Sequence, residues 1–260
     1  MSNIIYCYSA SGNCLDMARK IAEGLGDTDI VMMRAFPTVT DATPYERVGF
    51  VFPCHGGGLP ADVESHIRAI RVAPNAYKFG VVQYAAYMGC GLHVIDSIVG
   101  LDYWSGISNH CSAIWLLPHY LTVPFTSRKE AQARSDEAAR RIAADVKALR
   151  RSAKKAPKRS FNALESASFA KLNRLINEKM NVSVMCIACG QCAKLCPRGN
   201  IEIINGRAVI GDNCAGCMSC IEFCPQRAIN VGGITQNRAR YHNANVTAAD
   251  LWQKSLHIDG

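Results

Sequence analysis

One cysteine pattern occurs twice in this chain and limits what it can become more than any other feature. Cys186, Cys189, Cys192 and Cys196-Pro197 follow the spacing C-x2-C-x2-C-x3-C-P, and Cys214, Cys217, Cys220 and Cys224-Pro225 repeat it 28 residues later. A duplicated segment this short is two copies of one unit, neither large enough to build its own core. Thiolates at such spacing converge on one loop and suit iron–sulfur clusters or zinc. Structural zinc sites pair two C-x2-C elements across a longer span. Consecutive four-cysteine runs instead favour two [4Fe–4S] clusters. Between the copies, residues 201–204, Asn205-Gly206 and residues 207–210 read as a hairpin with a type I′ turn. Ile201, Ile203, Val209, Ile210, Ile229 and Val231 are expected to pack around the clusters.

The runs are similar to those of bacterial two-cluster ferredoxins, in which each fourth cysteine serves the other copy's cluster. That resemblance implies one set of Cys186, Cys189, Cys192 and Cys224, and another of Cys214, Cys217, Cys220 and Cys196. The chain has 13 cysteines in 260 residues, and a disulfide scaffold belongs to smaller, exported chains. Its formal charge of +8 would suggest nucleic acid. Ligated clusters remove roughly four of those charges, and no aromatic-interleaved binding motif is present, so nucleic acid is discounted. The start MSNIIYCYSASGN lacks a basic flank and an apolar stretch, and the apolar window 79–101 is broken by His93, Asp96 and glycines. No membrane span and a cytoplasmic location are therefore expected.

The first half alternates short apolar runs with helical patterns, as a parallel α/β sheet requires. Strands are predicted at 4–8, 30–33, 48–52, 79–84 and 112–117, and helices at 13–25, 61–70, 91–99 and 128–151. In the last, Ala138, Ile142, Val146 and Leu149 share one face. This order fits a flavodoxin-like doubly wound sheet, 2-1-3-4-5, with a smaller α+β domain after it. The expected division is a flavodoxin-like domain at 1–152, a basic linker and connecting helix at 153–180, the cluster domain at 181–232, and a tail at 233–260. KALRRSAKKAPKR, residues 147–159, carries seven basic residues and no acid. It reads as a solvated linker, or as a docking strip for an acidic redox partner.

In such sheets ligands sit beyond the carboxyl ends of the strands. Three loops qualify. Ser9-Ala10-Ser11-Gly12-Asn13-Cys14 opens a helix and suits a phosphate. Pro53-Cys54-His55-Gly56-Gly57-Gly58-Leu59-Pro60 would let backbone approach a planar ring. Tyr84-Ala85-Ala86-Tyr87-Met88-Gly89 offers tyrosines for stacking.

YSASGN, GGGLP, the two cluster runs and the tail RARYHNANVTAADL together resemble the flavodoxin–ferredoxin fusion proteins of anaerobic bacteria over nearly the whole chain. The resemblance implies FMN at Ser9–Cys14, at Pro53–Gly57 and at Tyr84, Ala85, Tyr87 and Gly89. It also implies electron transfer between flavin and clusters, with no acid–base catalytic residue. Two alternatives are a flavin-dependent reductase using His55, Tyr84 or Tyr87 as proton donor, and a ferredoxin with an empty docking domain. Cys14, Cys54 and Cys90 fall at strand ends and read as loop packing or as a reactive thiol group, with Cys14 activated by its helix if exposed. Cys7 and Cys111 read as packing residues. His66, His93, His110, His119, His242 and His257 show no ligand spacing.

Overall fold

The computed structural model describes residues 2–33, 39–110, 113–116, 125–158 and 162–259. Its first half runs β1 (Asn3–Cys7), α1 (Asn13–Leu25), β2 (Thr28–Met32), β3 (Arg47–Pro53), α2 (Ala61–Ala69), β4 (Tyr77–Tyr84), α3 (Gly91–Val99), β5 (Tyr103–Ser108) and α4 (Arg128–Lys147). There follow α5 (Asn162–Lys179), β6 (Met180–Val182), α6 (Gln191–Leu195), β7 (Ile201–Ile204), β8 (Arg207–Ile210), α7 (Ser219–Glu222), β9 (Ile229–Val231), α8 (Ala248–Trp252) and β10 (Ser255–Ile258).

The main sheet has the order β10-β2-β1-β3-β4-β5, and β1 to β5 are mutually parallel. This is the flavodoxin-like order 2-1-3-4-5 with one added edge strand. Every residue of β1 is buried, as expected of a strand covered on both faces. Leu15 and Ile21 of α1 and Ile142 and Val146 of α4 pack with Ile5 and Ile30 on one face. Val63, Ile67, Leu92 and Ile95 of α2 and α3 pack with Ile4, Tyr6 and Phe50 on the other. Among the described residues, no helix is long and apolar enough to cross a membrane.

The fifth strand lies at Tyr103–Ser108, not at 112–117. Of the latter stretch, residues 114–116 form a turn, and Ser112 and Leu117 lie outside the described residues, as do Cys111 and His119. YWSGIS reads as weakly apolar because it is an edge strand of partly buried and buried residues, whereas Ala113, Trp115 and Leu116 line a cleft and Ile114 packs with Ile176, Met218 and Ile221. A Cβ on Gly106 would meet Met88 Sδ at 2.3 Å, so the strand is selected by tertiary packing that local propensity does not record. The α4 helix stops at Lys147, and Leu149 adopts φ +53 and is 48% exposed, which removes it from the apolar face.

The hairpin forms where expected, with Asn205 at φ +49 and Gly206 at φ +73, both left-handed as a type I′ turn demands. Val209 is 45% exposed and faces away from the cysteines.

The tail is a finding of the structure. A reciprocal capping box between Thr247 and Asp250 starts α8, and β10 then pairs antiparallel with β2, covering that edge. His257 Nδ1 lies 2.8 Å from Asp29 Oδ1, which raises the His257 pKa; Asp29 is in turn held below its ordinary range by hydrogen bonds from Tyr45 and His257. A raised histidine stabilises the folded state fully below its unfolded pKa, and that contribution is lost as pH rises through the folded value. Protection factors of the amides along 255–258, corrected for intrinsic exchange, are therefore expected to fall as pH rises above the ordinary histidine range, and that fall is expected to vanish in His257→Gln.

Candidate functional site

The two cysteine runs fold alike because the chain turns at the same offsets in each. Ala188 and Gly216, Gly190 and Met218, and Gly199 and Arg227 are all left-handed, each pair 28 positions apart. Three of these are not glycine, and a left-handed residue with a Cβ costs about 1–2 kcal/mol. Asn200 N–H donates to Cys196 Sγ at 3.2 Å, and Ala228 N–H donates to Cys224 Sγ at 3.3 Å, again at matching positions. Gly216 N–H donates to Cys214 Sγ at 3.3 Å.

Two small cavities result. One is lined by Cys186, Cys189, Cys192 and Cys224, with Ile203, Ala208 and Ile229. The other is lined by Cys196, Cys214, Cys217 and Cys220, with Ile201, Ile210 and Met218. Each cavity thus takes three cysteines from one run and the fourth from the other. Among the described residues, no three His, Cys, Asp or Glu side chains converge as a single metal ion would require. A [4Fe–4S] cage has no such requirement, since each thiolate binds a different iron. Burial raises the pKa of the Cys220 thiol well above its ordinary value and pushes that of Cys192 up to about 11. Such thiols ionise when a cationic core compensates the lost hydration, so the donor set fits the cluster.

A cleft of about 470 Å³ lies beyond the carboxyl ends of β1, β3 and β4, within the range of small-ligand sites. Ser9, Ala10, Ser11, Asn13, Cys14, Pro53, Cys54, His55, Gly56, Gly57, Tyr84, Ala85 and Tyr87 all line it. Gly12 and Gly89 shape it from behind. Gly12, at φ +94, precedes α1 with no side-chain cap, which leaves first-turn N–H groups for a ligand. Ser9 Oγ is buried and, among the described residues, has no hydrogen-bond partner. An idle hydroxyl beside an uncapped helix start fits a phosphate.

Sequence reasoning missed the rest of the cleft wall. Asn109, His110, Trp115 and Leu116 follow β5 and went unseen with it. Phe169 and Leu172 come from α5, where a Cβ on Gly56 would meet the Phe169 ring at 2.3 Å. Gly216, Cys217 and Met218 come from the second cysteine run. His55 Nε2 lies 3.3 Å from Gly216 O, and burial lowers its pKa. Ser219 Oγ donates to Ala10 O at 2.8 Å, Tyr241 OH donates to Asn13 Oδ1 at 2.8 Å, and Arg198 forms a paired contact with Asp62 at 3.0 Å. The cysteine loops, the tail and the phosphate-type loop are therefore one connected assembly.

The three thiols at the strand ends do not share one surface. Cys14 and Cys54 line the cleft and Cys90 does not; none of the three is disulfide-bonded. Cys14 is 3% exposed, and burial drives its pKa well up, the reverse of the activation an exposed helix start would give. The basic segment packs at the opposite end of the sheet. Arg47 and Tyr77, the first residues of β3 and β4, donate to Lys147 O and Arg150 O. A strand length, ~25 Å, separates it from the cleft.

No protein-family model matches the chain, and no curated protein sequence does. Solved structures similar to it include a flavodoxin from the domain Archaea, at 16% identity and TM-score 0.38, covering 56% of this chain and 99% of that one. An FMN-dependent NADH-azoreductase from Bacillus anthracis is 9% identical, with TM-score 0.38 and coverage of 56% and 99%. An NAD(P)H:quinone oxidoreductase from Methanothermobacter marburgensis is 10% identical, with TM-score 0.36 and coverage of 56% and 96%. The fold assignment rests on the strand order itself.

Proposed function

We propose that this chain is an electron-transfer protein that carries FMN in the cleft and two [4Fe–4S] clusters in the cysteine cages, linking low-potential donors and acceptors. The observation that carries this reading is a shared wall: Cys217 lines both the cleft and one cage. FMN exchanges one or two electrons and each cluster one, which is the chemistry these groups supply when bound. The loop from Ser9 to Cys14 would hold the phosphate, and the loops around Gly57 and Tyr84 would hold the ring. His55 is committed to Gly216 and held neutral, so it positions the cysteine loop and is not assigned proton transfer. This favours a carrier over a substrate-specific reductase.

The division at 152, 180 and 232 is retained, with α5 and the tail serving as straps across both parts. The cage that includes Cys189 opens to solvent, and Ile187 beside it is 60% exposed. A redox partner would exchange electrons there. An acidic partner on the basic strip would be captured too far from the cleft to exchange electrons with it directly.

Anaerobic purification or reconstitution of the full chain, with FMN, iron and sulfide quantified, is the test. About one FMN and about eight iron and eight sulfide per chain are expected. Clusters without flavin leave a ferredoxin with an empty docking domain, and absence of sulfide removes the two-cluster reading.

A further inference from the structure

The tail stretch RARYHNAN is explained by neither the cleft nor the cages alone. Within it, Arg240 Nη2 donates to Ile229 O at 3.2 Å and to Asn230 Oδ1 at 2.7 Å, which fixes the guanidinium against β9. Its Nε and Nη1 are buried and, among the described residues, have no hydrogen-bond partner. Native proteins seldom bury charged donors unpaired, and each instance calls for a reason.

The surroundings supply one. The charged or ionisable groups that Arg240 faces are Glu222 of α7, Arg227, and the sulfurs of Cys224 and Cys220. Ile229, whose carbonyl it binds, lines the cage of Cys186, Cys189, Cys192 and Cys224. Cys220 lines the other cage. One cation therefore stands within electrostatic reach of one ligand from each cage. The next residue prevents it from swinging out: Tyr241 N–H donates to Glu222 Oε2 at 2.5 Å, and its hydroxyl holds Asn13.

We propose that Arg240 sets the reduction potentials of the two clusters, its buried and fixed charge favouring the reduced, more negative state. The proposal rests on the two-cluster reading above. Net charge, hydrogen bonds to sulfur and burial are the protein's means of tuning such potentials. Arginine suits the role because it stays protonated when buried.

The test is an anaerobic redox titration of the reconstituted full chain, followed by electron paramagnetic resonance, for wild type, Arg240→Gln and Arg240→Lys. Iron and sulfide are assayed first. The glutamine variant is expected to hold both clusters while its reduced-to-oxidised ratio at a fixed applied potential falls about tenfold, equivalent to ~59 mV for a one-electron couple. The lysine variant, which keeps the charge, is expected to stay within about threefold of wild type, on the same scale. Unchanged potentials in a fully loaded glutamine variant would overturn the proposal, as would a lysine variant shifted as far as glutamine. If the glutamine variant does not load, Arg240→Met, which also removes the charge and keeps the unbranched stem, takes its place and is read by the same two outcomes. Wild-type protein without sulfide defeats the two-cluster reading itself, a separate and recognisable failure.

Discussion

Replacing Cys196 by alanine is expected to empty the cavity formed by the other run's cysteines and to spare the one formed by its own. Cys196 lines the cavity with Cys214, Cys217 and Cys220, whereas Cys186, Cys189 and Cys192 share theirs with Cys224. Iron should fall from about eight to about four per chain, or to a few more if an incomplete cluster survives on three thiolates. A double variant makes the assignment unambiguous. Cys196→Ala with Cys214→Ala removes two ligands from one cage and should leave the iron near four. Cys196→Ala with Cys186→Ala strikes both cages and should leave the chain nearly iron-free. The reverse pattern would mean that each run serves its own cluster, contrary to the lining of the cavities.

How much of this was legible in the sequence follows from where the information is stored. The cysteine runs and the Asn205-Gly206 turn are local chemistry, in which spacing and residue type dictate the backbone; the hairpin folds as read, and each cavity gathers three cysteines of one run and one of the other. The order of β1 to β5 was legible because buried parallel strands are continuous apolar runs. The exception is β5, where Ala113, Trp115 and Leu116 face the cleft, Ile114 packs beside the cysteine loops, and the true edge strand is half-exposed. Three other features depend on contacts between distant segments. Phe169 reaches Gly56 only because α5 crosses the cleft mouth, Cys217 reaches the cleft only because Ser219 and Arg198 anchor its loop to Ala10 and Asp62, and β10 is a four-residue strand specified by the edge of β2. Cys14 reversed expectation for a related reason. Its helix start does carry unpaired N–H groups, but the tail and α4 bury the thiol, and desolvation outweighs the helix dipole there.

Gly89→Ala is expected to weaken FMN binding by roughly 30- to 100-fold, or about 2–3 kcal/mol, while leaving both clusters in place. Gly89 adopts φ +67, and a Cβ there would stand 2.3 Å from Gly57 O, 2.7 Å from Gly57 C and 2.9 Å from Cys54 Sγ. The obstruction is backbone, so no rotamer change relieves it. The Gly57 peptide is also held in place, because Cys90 N–H donates to its carbonyl at 2.9 Å. Alanine must therefore push the 54–58 loop into the cleft or lose that bond, and either outcome displaces a wall of the ring site. Part of the cost is the left-handed backbone alone, about 1–2 kcal/mol, and Gly100 measures that part separately. Gly100 has φ +70 with nothing within 4 Å of its Cβ position, and it lies at the far end of α3. Gly100→Ala should lower the melting temperature comparably and leave FMN affinity unchanged in a fluorescence-quenching titration of the flavin-free protein. If the two variants bind FMN equally well, the 54–58 loop does not form the ring site, and the cleft must hold its ligand against the Trp115 and Phe169 wall instead.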